Sequence, residues 1–207
     1  MNDPRVELQN QLSTRLASYG FQELPSVSQF RRTTETGFHN VVLSVGKAQP
    51  VIAELQLGIR LDIVERLAYQ FTTGLSDYGS HSTTLLVSTG HLLGQPYQRY
   101  VIEDPTEVAA VARAMSNAVE SVGLDFFHRY NSIVALDELY NGGNSRWVPH
   151  LVHRSLRGII LAKLAQRADW STLVVNYRAQ LQQRGTPEML MDRYERLAAY
   201  LHHFSVN

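Results

Sequence analysis

The sequence predicts an α+β fold, an antiparallel sheet of about five strands with an N-terminal helix, followed by a C-terminal helical region packed on it. Three observations carry this. Val51, Ala53, Leu55, Leu57 and Ile59 alternate with Ile52, Glu54, Gln56 and Gly58, the period of two that a strand buried mainly on one face requires. Two further strand-like stretches, Val27 to Arg32 and Val41 to Gly46, precede it with short turn-prone links at Thr36-Gly37 and Gly46 to Pro50, so the three form an antiparallel meander. From Asp104 to the C-terminus the apolar period is helical, and helices on a one-sided sheet give an α+β architecture.

The elements follow in order. Asp3-Pro4 reads as a helix N-cap with proline at the first helical position, and Leu8, Leu12, Leu16 and Tyr19 form a stripe that Gly20 closes. After the meander, Leu61, Val64, Leu67, Ala68 and Phe71 return to a helical period. Thr84 to Thr89 and Tyr97 to Glu103 read as a further strand pair joined by Gly90 to Pro96. Asp104-Pro-Thr-Glu107 combines an N-cap, a proline and a reciprocating glutamate ahead of the stripe Val108, Val111, Met115, Val119 and Val122, which Gly123 is expected to end. Helices are then predicted near 124–140, 149–168, 169–184 and 187–204. Nothing at the Asp104 seam resembles a linker. The chain is therefore expected to form one composite domain over 1–207, mixed over 1–103 and all-helical over 104–207.

A chain of 207 residues with 44% apolar content is long enough to bury roughly 70% of its unfolded surface without a metal or disulfide staple. Cysteine is absent, which excludes thiol catalysis, disulfides and thiolate metal sites. The longest strongly apolar run, around Ile159 to Ala162, is far below the ~20 residues of a membrane span, and the N-terminus shows no signal-peptide pattern. A soluble, cytoplasmic protein is expected. The 19 basic and 19 acidic residues balance, which argues against general nucleic-acid binding, where phosphate neutralisation needs a basic surplus.

Catalytic motifs are missing. There is no Gly-x-Ser-x-Gly elbow, and Gly90-His-Leu-Leu-Gly94 lacks the rest of a phosphate-binding loop. The carboxylate pair Asp137/Glu138 diverges by ~100° on a helix. His150 and His153 can face one ligand, but zinc needs further ligands and no His-Glu-x-x-His occurs. No metal site and no cofactor is assigned. Arg31 and Arg32 lie next to each other on the first strand and so face opposite sides. Unless it lies at the strand end, the inward one needs a carboxylate, for which Glu54 is a candidate.

One region stands out. Between Leu139 and Ala168 there is no acidic residue, whereas Arg146, Arg154, Arg157, Lys163 and Arg167 give a local charge of +5. A loop carrying Arg146 beside Trp147 leads into a helix whose first turns hold His150 and His153. Helix N-terminal amides, arginine forks and an aromatic side chain make an anion or acidic-partner site, with Arg146, Trp147, His150, His153, Arg154 and Arg157 as binding candidates. The structural alternative is that these arginines pair with carboxylates of the 103–138 helices and Trp147 fills the core.

The order of an N-terminal helix, a Phe30-Arg31-bearing strand, a meander and a strand ending in Leu57-Gly58-Ile59-Arg60 resembles small bacterial α+β domain families of unknown function, some of them immunity-protein-like. The resemblance covers roughly residues 8–140 at the level of pattern and transfers no site residue. It implies a protein partner, and a binding protein acting by macromolecular interaction, toxin neutralisation included, in preference to an enzyme. The enzymatic alternative acts on an anionic or phosphorylated small molecule, with His150 or His153 moving protons and Arg146, Arg154 or Arg157 holding the anion.

Overall fold

The computed structural model describes residues 3–72, 79–142 and 147–205. The fold is α+β with an open antiparallel sheet. Its residues group into two compact units that interleave in sequence, Met1–Ile59 with Leu86–Arg129, and Arg60–Leu85 with Tyr130–Asn207. Asp104 lies inside the first.

In the first unit, helix α1 (Pro4–Ala17) starts on Asp3, whose carboxylate accepts from the Arg5 amide, and buries Leu8, Leu12 and Leu16 completely. Strands β1 (Gln22–Leu24), β2 (Gln29–Thr34), β3 (Gly37–Val45) and β4 (Val51–Leu61) follow. β2 and β3 are antiparallel from Gln29↔Val42 to Thr34↔Gly37. The alternating apolar residues of β4 are all buried, while Ile52 on the opposite face is exposed. β3 begins earlier than the hydrophobic pattern suggests, because His39 and Asn40 are buried polar residues that interrupt the apolar signal.

Strands β5 (Leu85–Ser88) and β6 (Tyr100–Ile102) do not form the expected pair with each other. β5 neighbours β4, and β6 pairs antiparallel with the start of β4, Ile52 opposite Val101. The short helix α3 (Thr89–Leu92) occupies part of the connection between them. The sheet order β1-β2-β3-β4-β5, with β6 also on β4, gives six strands, in keeping with the expected sheet of about five. The extra one, β1, is three residues long and stops at Pro25, too short for a periodic signal.

The Asp104 capping box forms as expected. Asp104 accepts from the Thr106 amide, and the Glu107 carboxylate accepts from the amides of Glu103 and Asp104. Helix α4 (Val108–Ala118) packs against α1 and β6. Gly123 does not end it. A π-helical turn over Val119–Gly123 carries the chain on into α5 (Leu124–Arg129). A Cβ on Gly123 would lie 2.8 Å from Leu57 Cδ1 on β4, so the glycine lets helix and strand approach. Nor does Glu54 take an arginine of β2. It bonds Arg99, both groups well exposed, while Arg32 donates to the Tyr19 carbonyl, contacts His39 Nδ1 and lies over the rings of Phe21 and Phe127.

The second unit holds α2 (Asp62–Tyr69), α6 (Ile133–Asn141), α7 (Leu151–Leu164), α8 (Trp170–Gln183) and α9 (Glu188–His203). The single helix expected over 124–140 is divided before Ser132, whose hydroxyl caps α6. α7 is the centre of this unit and packs on α2, α6, α8 and α9. Every residue from Ser155 to Ala162 is buried, the signature of a helix enclosed on all sides. No helix among the described residues is long and apolar enough to cross a membrane.

Gly123→Ala separates two effects of opposite sign. Helix propensity alone gains about 1 kcal/mol, whereas overpacking against Leu57 costs about 1–3 kcal/mol. Urea denaturation is expected to show a net loss of stability.

Candidate functional site

The basic segment read from the sequence divides into a buried network and a cleft, both carried by α7. The network begins with Arg157, which faces α2. Its Nε donates to Glu65 Oε1 at 2.8 Å and its Nη2 to Oε2 at 2.6 Å, with the Glu65 side chain 1% exposed. Burial alone would raise the Glu65 carboxyl. The Arg157 charge, its two hydrogen bonds and the Ser82 hydroxyl together hold it below the usual carboxylate range. The Arg157 guanidinium is likewise disfavoured by burial yet raised by Glu65.

His153 sits one turn earlier on α7. Its Nε2 lies 3.3 Å from the Thr84 carbonyl oxygen and 3.3 Å from Tyr140 Oη, and the Tyr140 hydroxyl also donates to that carbonyl. Since a carbonyl only accepts, Nε2 carries the proton of a neutral imidazole. Burial first, and the nearby Arg157 charge second, push His153 down to about 4. Burial also raises the Tyr140 hydroxyl far above its ordinary value. Arg60 fixes the approach to Thr84 by donating to the carbonyls of Gly79 and Ser82, and Thr84 Oγ1 accepts from the Leu61 amide. The network is therefore held together by hydrogen bonds among buried groups of α2, α6, α7 and the Thr84 carbonyl.

Behind it, Gly158 allows α6 and α8 to close on α7. A Cβ there would lie 2.8 Å from the Tyr177 hydroxyl, which donates to Asn141 Oδ1 at 2.9 Å while the Asn141 amide bridges Asp137 and the Gly158 carbonyl. Arg167 bonds Asp137 and Asp169.

The cleft lies at the other end of α7. It has a volume of about 620 Å³ and is formed by the start of α7 and the turn between α8 and α9. His150, the N-cap residue of α7, makes no side-chain cap bond and lines it together with Arg154, Arg184 and Thr186; no carboxylate is among the lining residues. Arg154 is steadied by Gln180 Oε1 at 3.1 Å and lies near the Tyr177 ring. Gly185, at φ +64°, makes the tight exit from α8 that leaves Arg184 at the rim. Two guanidiniums, an imidazole and the amide end of a 14-residue helix make this cleft suited to a negatively charged group.

The six binding candidates thus have different fates. His150 and Arg154 meet in the cleft. His153 and Arg157 do not: they belong to the buried network, because the helix position that places Arg154 outward turns residues 153 and 157 inward. Trp147 is half-buried, edge-on to Tyr130 at 5.5 Å, and Arg146 lies outside the described residues. Sequence reasoning missed Glu65, Tyr140 and Arg184. Glu65 had a signal, since it falls with Leu61, Val64 and Ala68 on one helical face, an acid in an apolar stripe. Among the described residues no group of three His, Asp or Glu is placed to hold a metal ion. Comparison with protein-family models, with curated proteins and with solved structures gives no match.

The His153 environment sets a pH dependence. Its folded-state value of about 4 lies below the ordinary 6.5, so the unfolded chain takes up the proton first. The contribution is complete above about pH 6.5 and is lost as the pH falls through 4, amounting to about 3 kcal/mol across that window. Denaturant titrations between pH 7 and 4.5 are expected to show this loss, and His153→Gln to flatten the slope over the same range.

Proposed function

We propose that this chain is a soluble, cytoplasmic binding protein that recognises an acidic surface of a protein partner through the cleft at the start of α7. The observation that carries the reading is the lining of that cleft, which includes His150, Arg154 and Arg184 and no carboxylate among the described residues. A partner's Asp or Glu side chain entering it meets forked donors and helix amides, and hydrogen bonds between ionised groups are stronger than neutral ones. A toxin-neutralising role fits this mode of action, in which a rigid scaffold covers the partner's working surface.

The geometry favours binding over catalysis. His153 is enclosed against Thr84 and Tyr140, and Arg157 is neutralised by Glu65. Neither remains to handle a substrate. The enzymatic alternative keeps His150 and Arg154 alone.

Polyglutamate serves as a defined acidic probe. The wild-type protein is expected to bind it with an affinity that falls with salt. Replacing both Arg154 and Arg184 with Ala is expected to weaken binding by about 2 kcal/mol or more, and Arg196→Ala, on an exposed face of α9, to leave it unchanged. Equal affinity of wild type and double variant by calorimetry would remove the cleft from the proposal.

A further inference from the structure

A second cavity, of about 580 Å³, lies where the end of α7, the start of α8 and the end of α9 meet. It is separate from the cleft assigned above to the acidic partner and has a different character. Aromatic rings line it. Trp170 is half-buried with its indole N–H donated to the Ile159 carbonyl at 2.9 Å, the His202 ring is 6.4 Å away at a tilt of 32°, and Phe204 closes one side. No lining residue is a carboxylate. Of its cations, Arg167 is balanced by Asp137 and Asp169. Lys163 is not: its ammonium lies 5.0 Å from the Trp170 ring centroid and forms no ion pair among the described residues.

The backbone supplies an independent observation. α7 ends in a Schellman turn, with the Arg167 amide bonded to the Ala162 carbonyl and the Gln166 amide to that of Lys163. This turn requires a left-handed residue, for which glycine is favoured because any Cβ is strained there. α1 and α8 end in the same turn on Gly20 (φ +81°) and Gly185 (φ +64°). α7 places Gln166 there, at φ +55°, and Gln166 is one of the residues that line the cavity. A strained residue retained where glycine would relieve the strain points to a use for its side chain.

We propose that this cavity binds a small aromatic anion of the nucleoside monophosphate class. The flat ring packs among Trp170, His202 and Phe204, the Gln166 amide meets the polar edge of the base, and Lys163 with the His203 imidazole faces the phosphate. Rings plus a cation at the margin of a pocket of this size suit such a molecule better than free phosphate, which has no ring to bury, or a nucleoside, which brings no charge.

Isothermal titration calorimetry of the whole chain with adenosine 5′-monophosphate, adenosine and inorganic phosphate tests this. The monophosphate is expected to bind more tightly than either fragment. Lys163→Gln is expected to weaken it by about tenfold or more, the loss of one charge-assisted contact. Gln166→Gly is the decisive variant. It is expected to raise the melting temperature by relieving the left-handed residue while lowering affinity for the monophosphate, a combination that a purely structural role for Gln166 does not produce. Equal binding of the three probes, no heat with the monophosphate at millimolar concentration, or unchanged affinity in both variants would overturn the proposal.

Discussion

Removing an arginine from water carries a penalty of several kcal/mol, which is repaid where a carboxylate meets the guanidinium in good geometry and hydrogen bonds satisfy it. In the second unit that condition is met by Arg157 and Glu65, at 2.8 and 2.6 Å. The pair joins the middle of α7 to α2, and what lies around it follows from its presence. His153, one turn away, stays neutral chiefly through its own burial, and a neutral imidazole can share the Thr84 carbonyl with Tyr140. Tyr140 and Asn141 then hold α6, and Gly158 admits Tyr177 of α8. A specific polar network of this kind fixes a helix in rotation as well as position, which apolar packing alone does less strictly.

That rotation decides which cations of α7 are enclosed in the network and which line a cavity. With Arg157 and His153 turned inward, Arg154 faces the cleft at one end of α7 and Lys163 the cavity at the other. A run that looks like one basic patch in sequence is thus divided between two cavities by a neutralised centre. The balanced net charge of the chain agrees with local sites better than with an extended electropositive stripe, and so does the pairing of Arg167 and Arg178 with neighbouring carboxylates.

The sequence carried the fold class well, because the alternation in β4, the leucine stripe of α1 and the Asp104 capping box are local signals that tertiary structure had no reason to override. It failed where one residue type serves two purposes. Gly123 reads as a helix stop, yet its role is contact with Leu57, and the helix passes through it. His39 and Asn40 hid the start of β3 because they are polar and buried. At the candidate site, His150 and Arg154 were readable from charge and position. The inward fate of Arg157 was not, because its partner Glu65 lies 92 residues away, beyond the reach of any local pattern. Arg184 was missed for the same reason, since only the tight turn at Gly185 brings it beside the start of α7.

The central claim is that the Glu65–Arg157 pair fixes α7, and a double-mutant cycle in denaturant tests it most directly. Glu65→Leu and Arg157→Met each leave a buried charge without its partner and are expected to cost about 3–5 kcal/mol. The double variant leaves none, and its loss is expected to fall short of the sum by about 2 kcal/mol or more. Losses that add to within about 0.5 kcal/mol would contradict the account, because the two side chains would then act independently and α7 would owe its orientation to apolar packing.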